Sequence, residues 1–115
     1  MRRPVIEWYL QRVTGALLLV LLAAHFWEEH YMSEPLLRGE LTYEVIYARI
    51  ANPWWQAIDI AFLLVALYHG LNGVRNIILD YGRIGRRAAR ASTVLLALGG
   101  ALWAWWGIEA FRNLR

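Results

Sequence analysis

Three residues near the middle of the chain have the types and spacing to do chemistry: His69, Asp80 and Tyr81. They lie in HGLNGVRNIILDY, residues 69 to 81, which closes a strongly apolar run and also carries Asn72, Arg75 and Asn76. A neutral imidazole can ligate a metal or pass a proton, a phenol can donate a hydrogen bond to a carbonyl, and a carboxylate can relay protons. At 100° per residue the eleven-residue step from His69 to Asp80 returns to nearly the same helix face, with Gly73 and Asn76 between them. One side of this helix is therefore polar and notched. Ionisable groups inside a membrane are costly and mark ligand, proton or ion sites, so this face is the functional hypothesis.

The membrane setting comes from composition. Of 115 residues 59% are hydrophobic, and the mean hydropathy is +0.34, too apolar for an ordinary soluble domain of this size. There is no cysteine, so disulfides, thiolate metal sites and protein-held iron–sulfur clusters are excluded from this chain. All twelve basic residues are arginine, giving a net charge of +3. They sit at the edges of apolar runs, which points to membrane orientation rather than nucleic-acid binding. No flavin fingerprint or nucleophile array is present, so the chain is non-catalytic alone.

The pattern predicts an all-α integral membrane protein, one domain over residues 1–115 with spans at about 8–28, 54–80 and 91–110. The first follows a basic start, Arg2 and Arg3. A cleaved signal peptide is the rival reading, but Trp8, Tyr9, Gln11 and Arg12 are unusual before such an apolar core and no clear A-x-A site follows. Residues 28–52 are acidic and extramembrane, with a short surface helix expected over 41–50. Asn52–Pro53 then opens the second span behind Trp54 and Trp55, and Asp59 is expected to snorkel to the interface. In the third span Thr93, Ala97, Gly100, Ala104 and Gly107 form a small-residue stripe suited to close helix packing.

Two spans separate the basic N-terminus from the arginine-rich turn DYGRIGRRAAR, residues 80 to 90, so these two lie on one side and the acidic loop on the other. The positive-inside rule therefore places that turn and the N-terminus in the cytoplasm. Asp80 and Tyr81 then lie at the inner interface, with His69 about 16 Å above them, Arg12 near the inner face, and His25 in the outer half. Beside His69, Gly73 would leave room for a porphyrin, with Nε2 as iron ligand and Arg12 or Arg75 as cations for the propionates. The ordinary alternatives are a histidine that hydrogen-bonds a neighbouring helix, and an Asp80–Tyr81 helix end before a glycine turn.

The pattern H-x3-G-x6-D-Y, here His69, Gly73, Asp80 and Tyr81, resembles the second helix of the cytochrome b membrane anchors of succinate dehydrogenase and fumarate reductase, respiratory complex II. It is similar to the subunit usually called D, although Gly73-Val-Arg-Asn76 is closer to the sister C-type subunit. Gln11-Arg-Val-Thr-Gly15 resembles the first-span opening of these anchors. The resemblance implies that His69 is an axial ligand to haem b, paired with a histidine of a second haem-binding anchor subunit. It implies that Tyr81 and Asp80 help form the quinone site, and that Arg12 lies near haem propionate or quinone. His25 and His30 are similar to a segment of dihaem members, which would make His25 the ligand of a second haem; helix packing is its other reading.

The expected partners are a flavoprotein, an iron–sulfur subunit and the sister anchor, in a multi-subunit bundle of a bacterial or archaeal cytoplasmic membrane. Electrons from succinate would pass to quinone, with FAD and clusters held by the partners. The rival from another class is a small transporter or channel subunit using Asp59, His69 and Asp80 as a proton path.

Overall fold

Each of the three apolar runs is free of interior proline, and in hydrocarbon a segment must satisfy its own backbone hydrogen bonds, so each becomes one long helix. The computed structural model describes residues 5–31 and 34–114; Arg2, Arg3 and Arg115 lie outside them. Five helices follow in order: α1 Val5–Tyr31, α2 Glu34–Leu37, α3 Tyr43–Ile50, α4 Pro53–Tyr81 and α5 Arg86–Arg112. No strand occurs among the described residues. At 1.5 Å per residue α1, α4 and α5 are each about 40 Å long, enough to cross about 30 Å of hydrocarbon with turns to spare at both ends. The chain is thus an all-α integral membrane protein.

The boundaries differ from expectation in one instructive place. Glu28 and Glu29, assigned above to the extramembrane connection, lie inside α1, which runs on to Tyr31. Both pair with Arg49 of α3, so the helix has no reason to stop at the first carboxylate. The short surface helix is present as α3, capped by Thr42, whose hydroxyl accepts from the Val45 amide at 3.4 Å. Pro53 occupies the first turn of α4, where its missing N–H costs nothing, and Asn52 Oδ1 accepts from the Trp54 amide at 3.0 Å. At the other end Gly82 is needed for space, because a Cβ would strike the Ile78 carbonyl that its own N–H bonds at 2.9 Å. Arg83, not a glycine, takes the left-handed backbone at φ 45°.

The three long helices form an antiparallel row with α4 in the middle, 54 × 27 × 21 Å overall. Among the described residues no apolar side chain is buried, while Glu28 and Asp59 are only 4% and 8% exposed. That is the reverse of a soluble core. The apolar surfaces face outward, as suits hydrocarbon, and polar groups turn inward to partners on other helices. The small stripe on α5 does face α4: a Cβ on Gly100 would collide with Leu71, and one on Gly107 with Leu63. Close approach, in place of a hydrophobic driving force, holds this pair.

Gly100→Val should therefore push α5 from α4 and lower the stability of the purified complex by about 1–3 kcal/mol, the usual cost of overpacking. Thermal melting in detergent measures it. Partial recovery in Gly100→Val/Leu71→Ala would assign the loss to this contact.

Candidate functional site

His69 projects from α4 onto a turn of α1 built to receive it. Its Nδ1 is 3.1 Å from Thr14 Oγ1, and that hydroxyl lies 2.6 Å from the Leu10 carbonyl oxygen. A hydroxyl has one proton. Donated to Leu10, it leaves Thr14 to accept from His69, which selects the Nδ1–H tautomer and puts the lone pair on Nε2. Nε2 has no hydrogen-bond partner among the described residues. Gly15 lies flat against the ring, where a Cβ would stand 3.1 Å from Cε1. A single such interhelical bond is worth only about 0.6–2 kcal/mol, so its main effect is to orient the ring.

Gln11 completes the turn. Its amide donates to the His69 carbonyl at 3.2 Å and accepts from Asn72 Nδ2 at 2.6 Å. A Cβ on Gly73 would meet that same amide at 3.4 Å, so the glycine admits Gln11 instead of leaving an open notch for a ligand. Gly15 on α1 in the same way admits the imidazole ring of His69.

The other expected site residues divide into two levels. Arg12 lies between Gln11 and Thr14 in sequence, but its guanidinium reaches back one turn toward the N-terminus and stands exposed, 4.2 Å from the Trp8 ring centroid. Asp80 and Tyr81 lie eleven and twelve residues beyond His69 along α4. Arg75 is already engaged, pairing with Glu7 at 2.9 Å and donating to Thr93 at 3.1 Å, and so ties α1, α4 and α5 together. Asp80 is exposed and Tyr81 is 82% exposed at the arginine-rich end.

His25 belongs to a second cluster, eleven residues further along α1 than Thr14. Its Nδ1 lies 2.7 Å from Asp59 Oδ1, its Nε2 3.4 Å from Glu29, and its ring against Phe62. Arg49 reaches in from α3, pairing with Glu28 through Nε, with Glu29 at 3.0 Å and with Asp59 at 3.2 Å. Asp59 therefore does not reach out to solvent as expected; it is buried in an ion pair with Arg49 and a hydrogen bond with His25. Removing one partner of such a buried group typically costs about 3–5 kcal/mol, which makes Arg49 the strongest single tie between the connection and the helices. Arg49 carried no special signal in the sequence. The i, i+3 and i, i+4 spacing of His25, Glu28 and Glu29 on one helix was the available hint.

Between Asp59 and His69 α4 reads IAFLLVALY, about 15 Å without an ionisable carboxylate or imidazole. Among the described residues no three histidine or carboxylate side chains gather to hold a bare metal ion.

The profile of the family described as succinate dehydrogenase/fumarate reductase transmembrane subunit matches residues 2–108. The succinate dehydrogenase hydrophobic membrane anchor subunit of Archaeoglobus fulgidus is 32% identical over 103 residues, covering 90% of this chain and 84% of that protein. The subunit of the same name from Thermoplasma acidophilum is 32% identical over 73 residues, 63% of this chain and 56% of its own length. With three membrane-crossing helices in place and the match running over nearly all of them, the chain belongs to the family of transmembrane anchor subunits of succinate dehydrogenase and fumarate reductase.

Proposed function

We propose that the chain is the haem b-binding anchor of a succinate:quinone oxidoreductase, with His69 Nε2 as one axial ligand and a sister anchor supplying the other. The observation that carries this reading is the hydrogen-bond order Leu10–Thr14–His69, which leaves Nε2 unprotonated and unpartnered beside Gly15. Metal-bound histidines almost always donate their second ring N–H to a fixed acceptor, and Thr14 Oγ1 is that acceptor here. Haem bound at this level would supply a one-electron iron couple near the middle of the membrane. Arg12, on the same turn, has donors available for a propionate.

The arginine-rich end is the proposed cytoplasmic side and the docking face for the iron–sulfur and flavoprotein subunits. There Tyr81 would donate its phenolic proton to a quinone carbonyl while Asp80 relays protons from solvent. The separation of about 14–18 Å between this pair and the His69 level supports two sites instead of one. His25 has a weaker case as ligand to a second haem. A carboxylate on Nδ1 is the arrangement metal-bound histidines use, but its Nε2 faces Glu29, and its contacts equally serve helix packing.

Reduced-minus-oxidised spectra of the purified complex test the central reading: a b-type absorption is expected, lost in His69→Ala. Thr14→Val, which removes only the acceptor for Nδ1–H, should weaken haem retention roughly 10–100-fold, the usual effect of losing such a partner. Unchanged haem in both variants would exclude His69 as ligand. For His25 the measurement is haem stoichiometry, two per complex falling to one in His25→Ala; retention of both removes it from the site. Tyr81→Phe should slow quinone reduction roughly tenfold, the worth of one hydrogen bond, while dye-coupled succinate oxidation continues. Equal loss of both activities would mean failed assembly and no quinone role for Tyr81.

A further inference from the structure

A cleft of about 380 Å3 opens between α4 and α5 at the arginine-rich end. Arg86 and Arg90, one turn apart at the start of α5, line it together with Leu79 of α4 and Ala89 and Val94 of α5. Arg75 also reaches its wall but is already paired with Glu7 and Thr93. Neither Arg86 nor Arg90 has an ion-pair or hydrogen-bond partner among the described residues. The chain has little to offer them, since Glu7 and Asp80 are the carboxylates at this end and each has an interaction elsewhere. Two uncompensated cations thus stand at a membrane interface above an apolar floor.

We propose that this cleft binds one anionic membrane lipid, its headgroup phosphate held by Arg86 and Arg90 and an acyl chain laid over Leu79 and Val94. Guanidinium groups match phosphate oxygens in charge and in donor geometry, and basic hollows between helices on the positive side of a membrane suit such headgroups. The floor selects the source of the phosphate. Val94 and, one turn deeper, Leu98 are exposed on a face that continues into the span, where an acyl chain can follow and a free phosphate has nothing to cover. An acidic patch on a water-soluble subunit would meet the arginines but not reach that floor. The site is independent of the haem and quinone assignments.

Native mass spectrometry of the purified complex, titrated with phosphatidylglycerol and with phosphatidylcholine as the zwitterionic control, tests the assignment. One phosphatidylglycerol should be retained per copy of this chain in preference to the control. Each arginine near a membrane surface contributes about fivefold, so Arg86→Gln/Arg90→Gln should weaken phosphatidylglycerol binding roughly thirtyfold and leave phosphatidylcholine unchanged. Val94→Trp keeps both arginines and fills the floor, and it should also lose the lipid; it serves as the test if the double variant fails to assemble. Unchanged phosphatidylglycerol binding in these variants overturns the proposal. So does full displacement by inorganic phosphate, which would make it a simple anion site. Release of the water-soluble subunits from the double variant, with lipid binding intact, would instead make these arginines a protein-docking surface and also overturn it.

Discussion

A polar side chain inside a bilayer has no water to fall back on, and the whole arrangement depends on each one finding a partner on another helix. α4 carries most of them and sits in the middle. On its flank against α1, Arg75 meets Glu7, Asn72 meets Gln11, His69 meets Thr14, and Asp59 meets His25. These pairs step in opposite directions along the two helices at a nearly constant offset, so all four agree on a single antiparallel register. Slipping one helix by a turn would leave every one of them unpaired at once. On the other flank there is less polarity, and shape takes over, with Gly100 and Gly107 receiving Leu71 and Leu63.

The same register makes the chemistry layered. One level holds His69, oriented by Thr14 and packed against Gly15. A second level, toward the loop, is an ion cluster around Arg49 that locks the connection onto α1 and α4. A third, at the arginine-rich end, is exposed and holds Tyr81 and Asp80. Interhelical polar pairs rigidify the first two levels, while the third is left exposed.

What was legible in the sequence was whatever one helix decides by itself. Three apolar runs of sufficient length, the proline at the start of α4, the small-residue stripe on α5 and the polar face from His69 onward are local or periodic properties, and they survive in the structure. Misreadings arose where two segments meet. Glu28 looked like the start of a loop because its cation, Arg49, lies twenty-one residues away. Gly73 looked like a notch for a ligand because the side chain filling it, Gln11, belongs to α1. Arg75 looked free for the same reason.

The sequence by itself determined that this chain crosses a membrane three times and that His69, Asp80 and Tyr81 share one helix, because hydropathy and helical period act over neighbouring residues. Only the tertiary structure decided which nitrogen of His69 is presented, that Asp59 is a buried member of an ion cluster, and that Gln11 fills the space at Gly73. Those outcomes depend on the register between helices. Register is set by pairwise contacts between residues tens of positions apart, which no local pattern encodes.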